Sequence, residues 1–328
     1  MRLHWKLPLL LFLATCLTTT FCRFGFDDNV LYNVFYNFLL SFCLGFAGAE
    51  SAPHYWIAFM EHLWRALQFS AALILILTCH ELGHYLQSCR YRVRSSLPFF
   101  IPLPFGPFGT LGAVIAMDDE VPHSKALFDI GITGPLAGLV PTLIFLYYGI
   151  QWSYLGPRQP GEFEFGDPLL IQWTIYWLFG HLPPDMMLYH HPFAAAAWAG
   201  LFLTSLNLMP VSQLDGGHVI YALLGRKSLP FIYCFFVAAI IAVAWFQLWH
   251  WSPVLILIVL IGLAHPPTAN DAMPLGWFHH CLGWTTLLFV FIGFVPTPLT
   301  IDEYMPLEKP IWYCLETMKM FTTTLSLA

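Results

Sequence analysis

The chain has 328 residues, of which 58% are hydrophobic, 17% aromatic and only 10% charged. Soluble domains carry about 25% charged residues, so the composition excludes a soluble enzyme and a disordered chain. It also lacks the basic surface that a nucleic-acid binder needs, so no nucleic acid is expected as a partner. The apolar residues come in long runs, which predicts an all-α polytopic protein embedded in a lipid bilayer.

The N-terminal part predicts one membrane helix and one outer segment. Residues 7–22 are apolar and favour an uncleaved first helix, since no clear cleavage site for a signal peptide follows them. Residues 30–46 are also apolar, but Asn33 and Asn37 interrupt them. This pattern favours an interfacial segment that does not cross the membrane.

Residues 66–88 predict the next spanning helix. Arg90, Arg92 and Arg94 follow it, and the positive-inside rule places that end in the cytoplasm. Residues 97–117 are long enough to span, but several prolines and glycines exclude a regular helix. Such a stretch at membrane depth must be buried in protein or line a cavity. We therefore expect a re-entrant β-hairpin or loop, with a loop lying on the membrane surface as the alternative.

The remaining apolar runs complete a bundle of roughly six to eight membrane segments. The runs are residues 126–148, 169–182, 193–208, 229–249, 253–264 and 280–295. We divide the chain into an N-terminal helix with its outer segment (1–62), a catalytic membrane core (63–227), and C-terminal membrane helices with a tail (228–328).

The sequence His80-Glu81-Leu82-Gly83-His84 lies within the apolar run 66–88. Residues four apart share one face of a helix, so His80 and His84 can bind one Zn²⁺, and Glu81 can reach a water beside it. Ionisable groups are costly in an apolar helix and usually have a function there. The alternative is a hydrogen-bonded pair of structural histidines with Glu81 as their partner.

Asp215 is the candidate for the third ligand that a catalytic zinc needs. Pro210 and the pair Gly216-Gly217 are expected to unwind the helix around it and so to make a carboxylate tolerable. Zn²⁺, two neutral histidines, Asp215 and Glu81 sum to zero charge, which suits an apolar site. Asp215 as a simple helix cap stays open. His218 is a competing ligand, although a hydrogen bond to Asp215 or a place at a helix start is favoured.

An HExxH motif followed by Asn207-x-x-Pro-x-x-x-Leu-Asp215-Gly-Gly resembles the site-2 protease family of intramembrane zinc metalloproteases. The resemblance is to the bacterial and plastid branch that includes the EGY-type proteases. It implies that His80, His84 and Asp215 bind one Zn²⁺ and that Glu81 is the general base for a zinc-bound water. It places Asn207 beside the site, as an oxyanion donor or as an amide that caps the broken helix.

The resemblance implies hydrolysis of a peptide bond in or near a transmembrane segment of a membrane protein. A substrate helix must unwind first, and an extended substrate could then pair with a strand edge in residues 110–116. Thr110, Gly112 and Val114 are the expected substrate contacts. The alternative is that this segment only plugs the bundle.

Two other functions remain open. A membrane zinc protease of the CAAX-processing type would use a glutamate as third ligand, and a non-catalytic chaperone, receptor or transporter would hold a structural zinc. The turn His265-Pro266-Pro267 is expected near the site as a rigid turn rather than a ligand. With no Ser/Arg-rich transit peptide before the first helix, we expect a bacterial cytoplasmic membrane, with the active site towards the cytoplasm. The oligomeric state is not predicted.

Overall fold

The structure is a computed structural model that describes most of the chain. The described residues are 5–26, 52–104, 108–118, 120–158, 163–183, 185–211, 213–271, 273–298 and 300–301. The interfacial segment predicted at residues 30–46 lies outside them.

The described part is mostly helical. Its α-helices are α1 (Lys6–Phe26), α2 (Ala52–Arg90), α3 (Ser124–Gln151), α4 (Leu169–Phe179), α5 (Pro192–Asn207), α6 (Asp215–Leu224), α7 (Ser228–Trp245), α8 (Ser252–Ile261) and α9 (Trp277–Gly293). Short 3₁₀ turns cover Gly225–Lys227 and Trp249–Trp251. Helix α2 begins at Ala52 rather than residue 66, so it runs across the boundary placed between residues 62 and 63.

Four helical stretches of the described residues are long and apolar enough to cross a membrane. They are Lys6–Arg23, Ile57–Arg90, Ser124–Gln151 and Asp215–Trp245, the last of which joins α6 and α7. Helices α4, α8 and α9 are apolar but shorter. The larger number of six to eight segments stays a prediction.

The all-α expectation is incomplete, because the described residues also form three two-stranded antiparallel sheets. Strand β1 (Phe99–Pro102) pairs with β2 (Thr110–Val114). The other sheets pair β3 (Tyr154–Pro157) with β5 (Met186–Tyr189), and β4 (Phe163–Glu164) with β6 (Thr300–Ile301). The stretch expected to break a helix therefore forms a hairpin, since proline is tolerated in an edge strand but not inside a helix.

The β1–β2 hairpin is fixed at its base and near its turn. At the base, the Arg94 guanidinium lies 2.8 Å from an Asp118 carboxylate oxygen, and the Asp118 N–H donates to the Arg94 carbonyl at 2.9 Å. Near the turn, the Thr18 hydroxyl of α1 donates to the Gly109 carbonyl at 2.6 Å. Helix α1 thus holds one end of the hairpin against the bundle.

Helix α3 is the centre of the bundle and packs against α2, α5 and α6. The side chains of one apolar cluster fill the space between α2, α3 and α5, with Leu73, Ile150 and Leu201 completely buried. A second cluster lies between α3, α6 and α7 and includes Phe128 and Ile220. The outer faces keep many exposed large apolar side chains, as a helix facing lipid does.

The chain leaves helical geometry between α5 and α6, where its described residues form turns and bends. The break was expected, but the role given to the glycine pair is wrong, because Gly216 and Gly217 lie inside α6. A Cβ on Gly216 would overlap the carbonyl oxygen of Leu208. Glycine is therefore needed for close packing of the turn on α6, whereas Pro210 lies in the non-helical part.

Candidate metal centre

Three side chains from two helices meet inside the bundle. His80 and His84 lie four residues apart on α2, and Asp215 is the first residue of α6. The Nε2 atoms of the two histidines are 3.1 Å apart. Asp215 places one carboxylate oxygen 3.1 Å from His80 Nε2 and the other 3.3 Å from His84 Nε2. Among the described residues this is the one group of three or more such side chains able to hold a metal ion.

The spacing and chemistry of these atoms fit Zn²⁺. Zinc binds imidazole nitrogen and carboxylate oxygen at about 2.0–2.1 Å with tetrahedral geometry, which places neighbouring ligand atoms about 3.3 Å apart. The two Nε2 atoms are 3.1 Å apart, and they lie 3.1 and 3.3 Å from the two different oxygens of Asp215, which is close to this value. Three protein ligands also leave a fourth position open, as in catalytic zinc sites.

The orientation of His84 is set by the backbone of α3. Its Nδ1 lies 2.8 Å from the carbonyl oxygen of Ile130. A carbonyl can only accept, so Nδ1 carries the hydrogen and Nε2 keeps a lone pair that points towards His80 and Asp215. Metal-binding histidines are usually held this way, by a hydrogen bond at the other ring nitrogen.

Glycines of α3 make room for both histidines. A Cβ on Gly134 would overlap the His84 imidazole ring, and a Cβ on Gly138 would lie 3.0 Å from His80 Cβ. Small residues let helices approach closely, and here the two glycines accommodate the histidines of the HExxH motif. Pro135, which lies between them, does not end α3.

A cavity of about 270 Å³ contains the metal group. Glu81 also lines it and is only 4% exposed. Asn207, the last residue of α5, lines the same cavity, with Nδ2 3.5 Å from His80 Nε2. Two carboxylates thus lie beside two buried histidines in one cavity. A divalent cation would balance their charge.

Strand β2 forms one wall of this cavity. Of the three residues predicted to bind substrate, Gly112 and Val114 line the cavity. Thr110 is buried instead, and its hydroxyl donates to the carbonyl of Ile101 in β1. The hairpin therefore lies next to the metal group, and the Thr110 side chain joins β2 to β1.

For His218 the sequence favoured a hydrogen bond to Asp215 or a place at a helix start, and the structure shows the second, since His218 is the fourth residue of α6. Its Nδ1 lies 2.6 Å from His265 Nε2. His218, His265 and Pro266 all line the cavity, so the His265-Pro266-Pro267 turn does lie near the site.

Several residues around the site carried no usable sequence signal. The Ile130 carbonyl is a backbone group, which any residue could supply. Next to it, the Tyr91 hydroxyl donates to the Asp129 carboxylate, and burial together with this hydrogen bond raises the pKa of Tyr91 to about 12. The phenol therefore stays protonated and ties the end of α2 to α3. Only contacts between distant segments reveal these roles.

The model of peptidase family M50 matches residues 68–246. This region is more than half of the chain and contains the C-terminal part of α2, the hairpin, α3, α5 and α6, and therefore the whole metal group. The chain belongs to peptidase family M50. The resemblance to site-2 proteases inferred from the two motifs is thereby confirmed.

Plant members of this family are among the similar proteins. The chain is 31% identical over 173 residues to the probable chloroplastic zinc metalloprotease EGY1 of Oryza sativa subsp. japonica, and 29% identical over 173 residues to EGY1 of Arabidopsis thaliana. It is 28% identical over 176 residues to the probable chloroplastic zinc metalloprotease EGY2 of Arabidopsis thaliana. These matches cover 50–52% of this chain but only 29–31% of each relative.

The expectation of a bacterial cytoplasmic membrane is wrong. The three M50 relatives are plant proteins that are named chloroplastic. The expectation rested on finding no Ser/Arg-rich stretch before the first helix, which is not sufficient to identify a membrane. The stronger signals, apolar length and arginine position, indicate that a helix crosses a bilayer and in which direction. They do not report which membrane it crosses.

Proposed function

We propose that this M50 protein is a zinc-dependent intramembrane endopeptidase of a plastid membrane. It would hydrolyse a peptide bond in or near a transmembrane segment of a membrane protein. The observation that carries the proposal is the grouping of His80, His84 and Asp215. Their two Nε2 atoms are 3.1 Å apart and each lies 3.1–3.3 Å from a different Asp215 oxygen, in a cavity that also contains a buried glutamate. The names of the relatives, which are zinc metalloproteases, support zinc as the ion.

His80, His84 and Asp215 would hold the zinc, which when bound supplies a Lewis acid that polarises a carbonyl and makes a nearby water more acidic. Glu81 accepts the proton of the attacking water and passes it to the leaving amine. Asn207 lines the same cavity and would donate its amide N–H to the oxygen of the scissile carbonyl.

The substrate would bind as an extended strand beside β2. A transmembrane helix hides its carbonyl groups in its own hydrogen bonds, so it must unwind before attack. An unpaired strand edge offers replacement hydrogen bonds to the unwound segment. Gly112 and Val114 lie on the cavity wall, where such a strand would pass. In this proposal the hairpin is re-entrant and residues 63–227 form the catalytic core.

The CAAX-processing alternative receives less support. It requires a glutamate as third ligand. Among the described residues, Glu81 is the one glutamate that lines the cavity, and the HExxH motif already gives it the role of base. A structural zinc in a chaperone or transporter would not need this buried carboxylate.

Glu81→Gln in the full-length chain tests the proposal. The amide keeps the size of the side chain but cannot accept a proton. We expect one zinc per chain in the variant and a loss of cleavage of about 100- to 10,000-fold, the usual contribution of a positioned acid–base group. Zinc content is measured by metal analysis of purified protein, and cleavage is measured on a panel of membrane-anchored single-span reporters.

Glu61→Gln is the matched control, because Glu61 lies on the same helix with an exposed side chain. It should cleave like the wild type. Equal cleavage by the wild type and Glu81→Gln would refute the protease mechanism. Absence of zinc from the wild type would refute the metal centre itself.

A further inference from the structure

A second polar cluster borders the cavity, outside the metal group, and contributes His218 and His265 to its lining. It joins α6 to residues 265–271, which we call the His-Pro-Pro loop. His265 contacts α6 twice. Its ring is hydrogen-bonded to His218 and stacks on Tyr221 with a centroid distance of 4.8 Å. The Tyr221 hydroxyl donates to the Asp271 carboxylate at 2.8 Å.

The hydrogen bonds of this cluster have a fixed direction. His265 Nδ1 lies within hydrogen-bond distance of the Pro266 carbonyl, which can only accept. Nδ1 therefore carries the hydrogen, and His265 Nε2 accepts from His218 Nδ1 at 2.6 Å. Partial burial lowers the pKa of His265, and the smaller opposing effects of the Pro266 carbonyl and Asp271 do not cancel this shift. Because His265 donates from Nδ1 and accepts at Nε2, these hydrogen bonds require its imidazole to be neutral.

The loop is also tied to itself and to α3. The Asp271 carboxylate accepts from the backbone N–H and the hydroxyl of Thr268, at 3.1 and 2.7 Å. The Ala269 N–H donates to the carbonyl of Val121 at 2.9 Å, just before α3 begins. The loop is thus a fixed strut between α6, which carries Asp215, and α3, which orients His84.

Helix α6 needs such a strut at its first turn. Asp215 and His218 are neighbours on α6, since they are three residues apart, and Tyr221 is in turn a neighbour of His218. The chain before Asp215 is not helical, so no preceding turn of helix holds this carboxylate in place. The first turn is held by packing, since a Cβ on Gly131 of α3 would overlap His218 Cβ, and by the bond from His218 to the loop.

We propose that His265 is a positioning residue for the metal centre: through His218 it holds the first turn of α6 so that Asp215 meets His80 and His84. The proposal rests on the proposed zinc centre. It predicts that breaking the His218–His265 bond weakens zinc binding although neither histidine is a zinc ligand. Partners that orient a metal ligand typically contribute about 10- to 100-fold in metal affinity.

Zinc affinity of the full chain in detergent tests the proposal, with Zn²⁺ alone as the ligand and a competing chelator as the reporter. His265→Phe keeps a ring against Tyr221 but removes the hydrogen bond, and it should lower zinc affinity by about tenfold or more. His265→Gln keeps an amide near the position of Nε2 and should stay within about threefold of the wild type. His250→Phe is the control, because His250 bonds to the Pro296 carbonyl at 2.8 Å and does not line the cavity.

Variants of His218, the other partner in this hydrogen bond, give an independent test. This test still applies if His265→Phe does not fold. His218→Asn keeps a donor near Nδ1 and should retain zinc affinity, whereas His218→Leu should lose it. Combining His218→Leu with His265→Phe should cost no more than either change alone, since both break one interaction.

The outcomes separate the two proposals. Wild-type affinity in both His265→Phe and His218→Leu overturns the positioning role and leaves the protease proposal standing. The same result follows if the two losses simply add, or if His250→Phe loses as much. Failure of the wild type to bind Zn²⁺ overturns the metal centre and the positioning role together, and absence of cleavage with intact zinc binding contradicts only the proposed activity.

Discussion

Two histidine pairs line the same cavity, yet their geometry gives them different chemistry. In both pairs one histidine donates from Nδ1 to a backbone carbonyl, that of Ile130 for His84 and that of Pro266 for His265. In the first pair the two Nε2 atoms face each other, with a carboxylate against both. In the second pair Nδ1 of one ring meets Nε2 of the other.

The difference shows that residue type alone does not make a metal site. Two Nε2 atoms that face each other beside a carboxylate bring three ligand atoms together, which suits a cation. A pair in which Nδ1 meets Nε2 already uses one donor and one acceptor, so it is satisfied as a hydrogen bond. We therefore interpret His218 as a residue that supports the site, although it lies only three residues after Asp215.

The largest expected effect is a difference in zinc affinity between variants of Asp215, in the metal group, and Asp271, in the His-Pro-Pro loop. Asp215→Asn should lower zinc affinity by more than about 100-fold, because a direct ligand loses its charge and supporting partners alone contribute 10- to 100-fold. Asp271→Asn keeps an oxygen that can accept from Tyr221, so it should lower zinc affinity by less than about tenfold. Chelator competition with purified protein measures both values. Equal zinc binding by Asp215→Asn and the wild type would reassign the third ligand.

The next largest effect should be a difference between the two α3 glycines that pack against the two histidine pairs. A Cβ on Gly134 would overlap the His84 ring, whereas one on Gly131 would lie 2.8 Å from His218 Cβ. Gly134→Ala should reduce stability by about 1–3 kcal/mol through overpacking and should also displace a zinc ligand. Gly131→Ala should affect zinc affinity less. Thermal unfolding of zinc-free protein and zinc titration give the two readings, and a reversed order in zinc affinity would contradict the comparison.

A smaller effect should separate the substrate wall from the metal group. Val114 in β2 lines the cavity and is about half exposed. Val114→Asp should lower cleavage efficiency by about tenfold or more, because an apolar substrate would have to bury an unpaired carboxylate. Its zinc content should not change. Ile101→Asp in β1 is the control, since Ile101 does not line the cavity, and equal loss in both variants would argue against a substrate role for β2.

The smallest effect belongs to the base of the hairpin. The Arg94–Asp118 ion pair is 2.8 Å long, but the arginine side chain is 90% exposed. Exposed ion pairs contribute about 0–1 kcal/mol. Arg94→Ala should therefore leave zinc affinity unchanged and shift the unfolding temperature only slightly. A loss of zinc in this variant would mean that the hairpin supports the metal group directly.

The sequence predicted the features that depend on local pattern. The apolar helices, the break at the proline-rich stretch and the HExxH pair all follow from periodicity, from steric rules for proline and from spacing on one helix. The bounds were less accurate, and α2 starts well before the predicted span. The glycines after Asp215 were assigned to an unwound segment because their contact with the Leu208 carbonyl cannot be seen in the sequence.

By itself the sequence determined that the protein crosses a bilayer and that His80, Glu81 and His84 share one helix face. These properties arise within single segments, so composition and spacing are sufficient. Only the tertiary structure decided that Asp215 joins these histidines while His218 turns to His265. That choice depends on how α6 packs on α3 and on residues 265–271, and packing between segments far apart in the chain has no local signature.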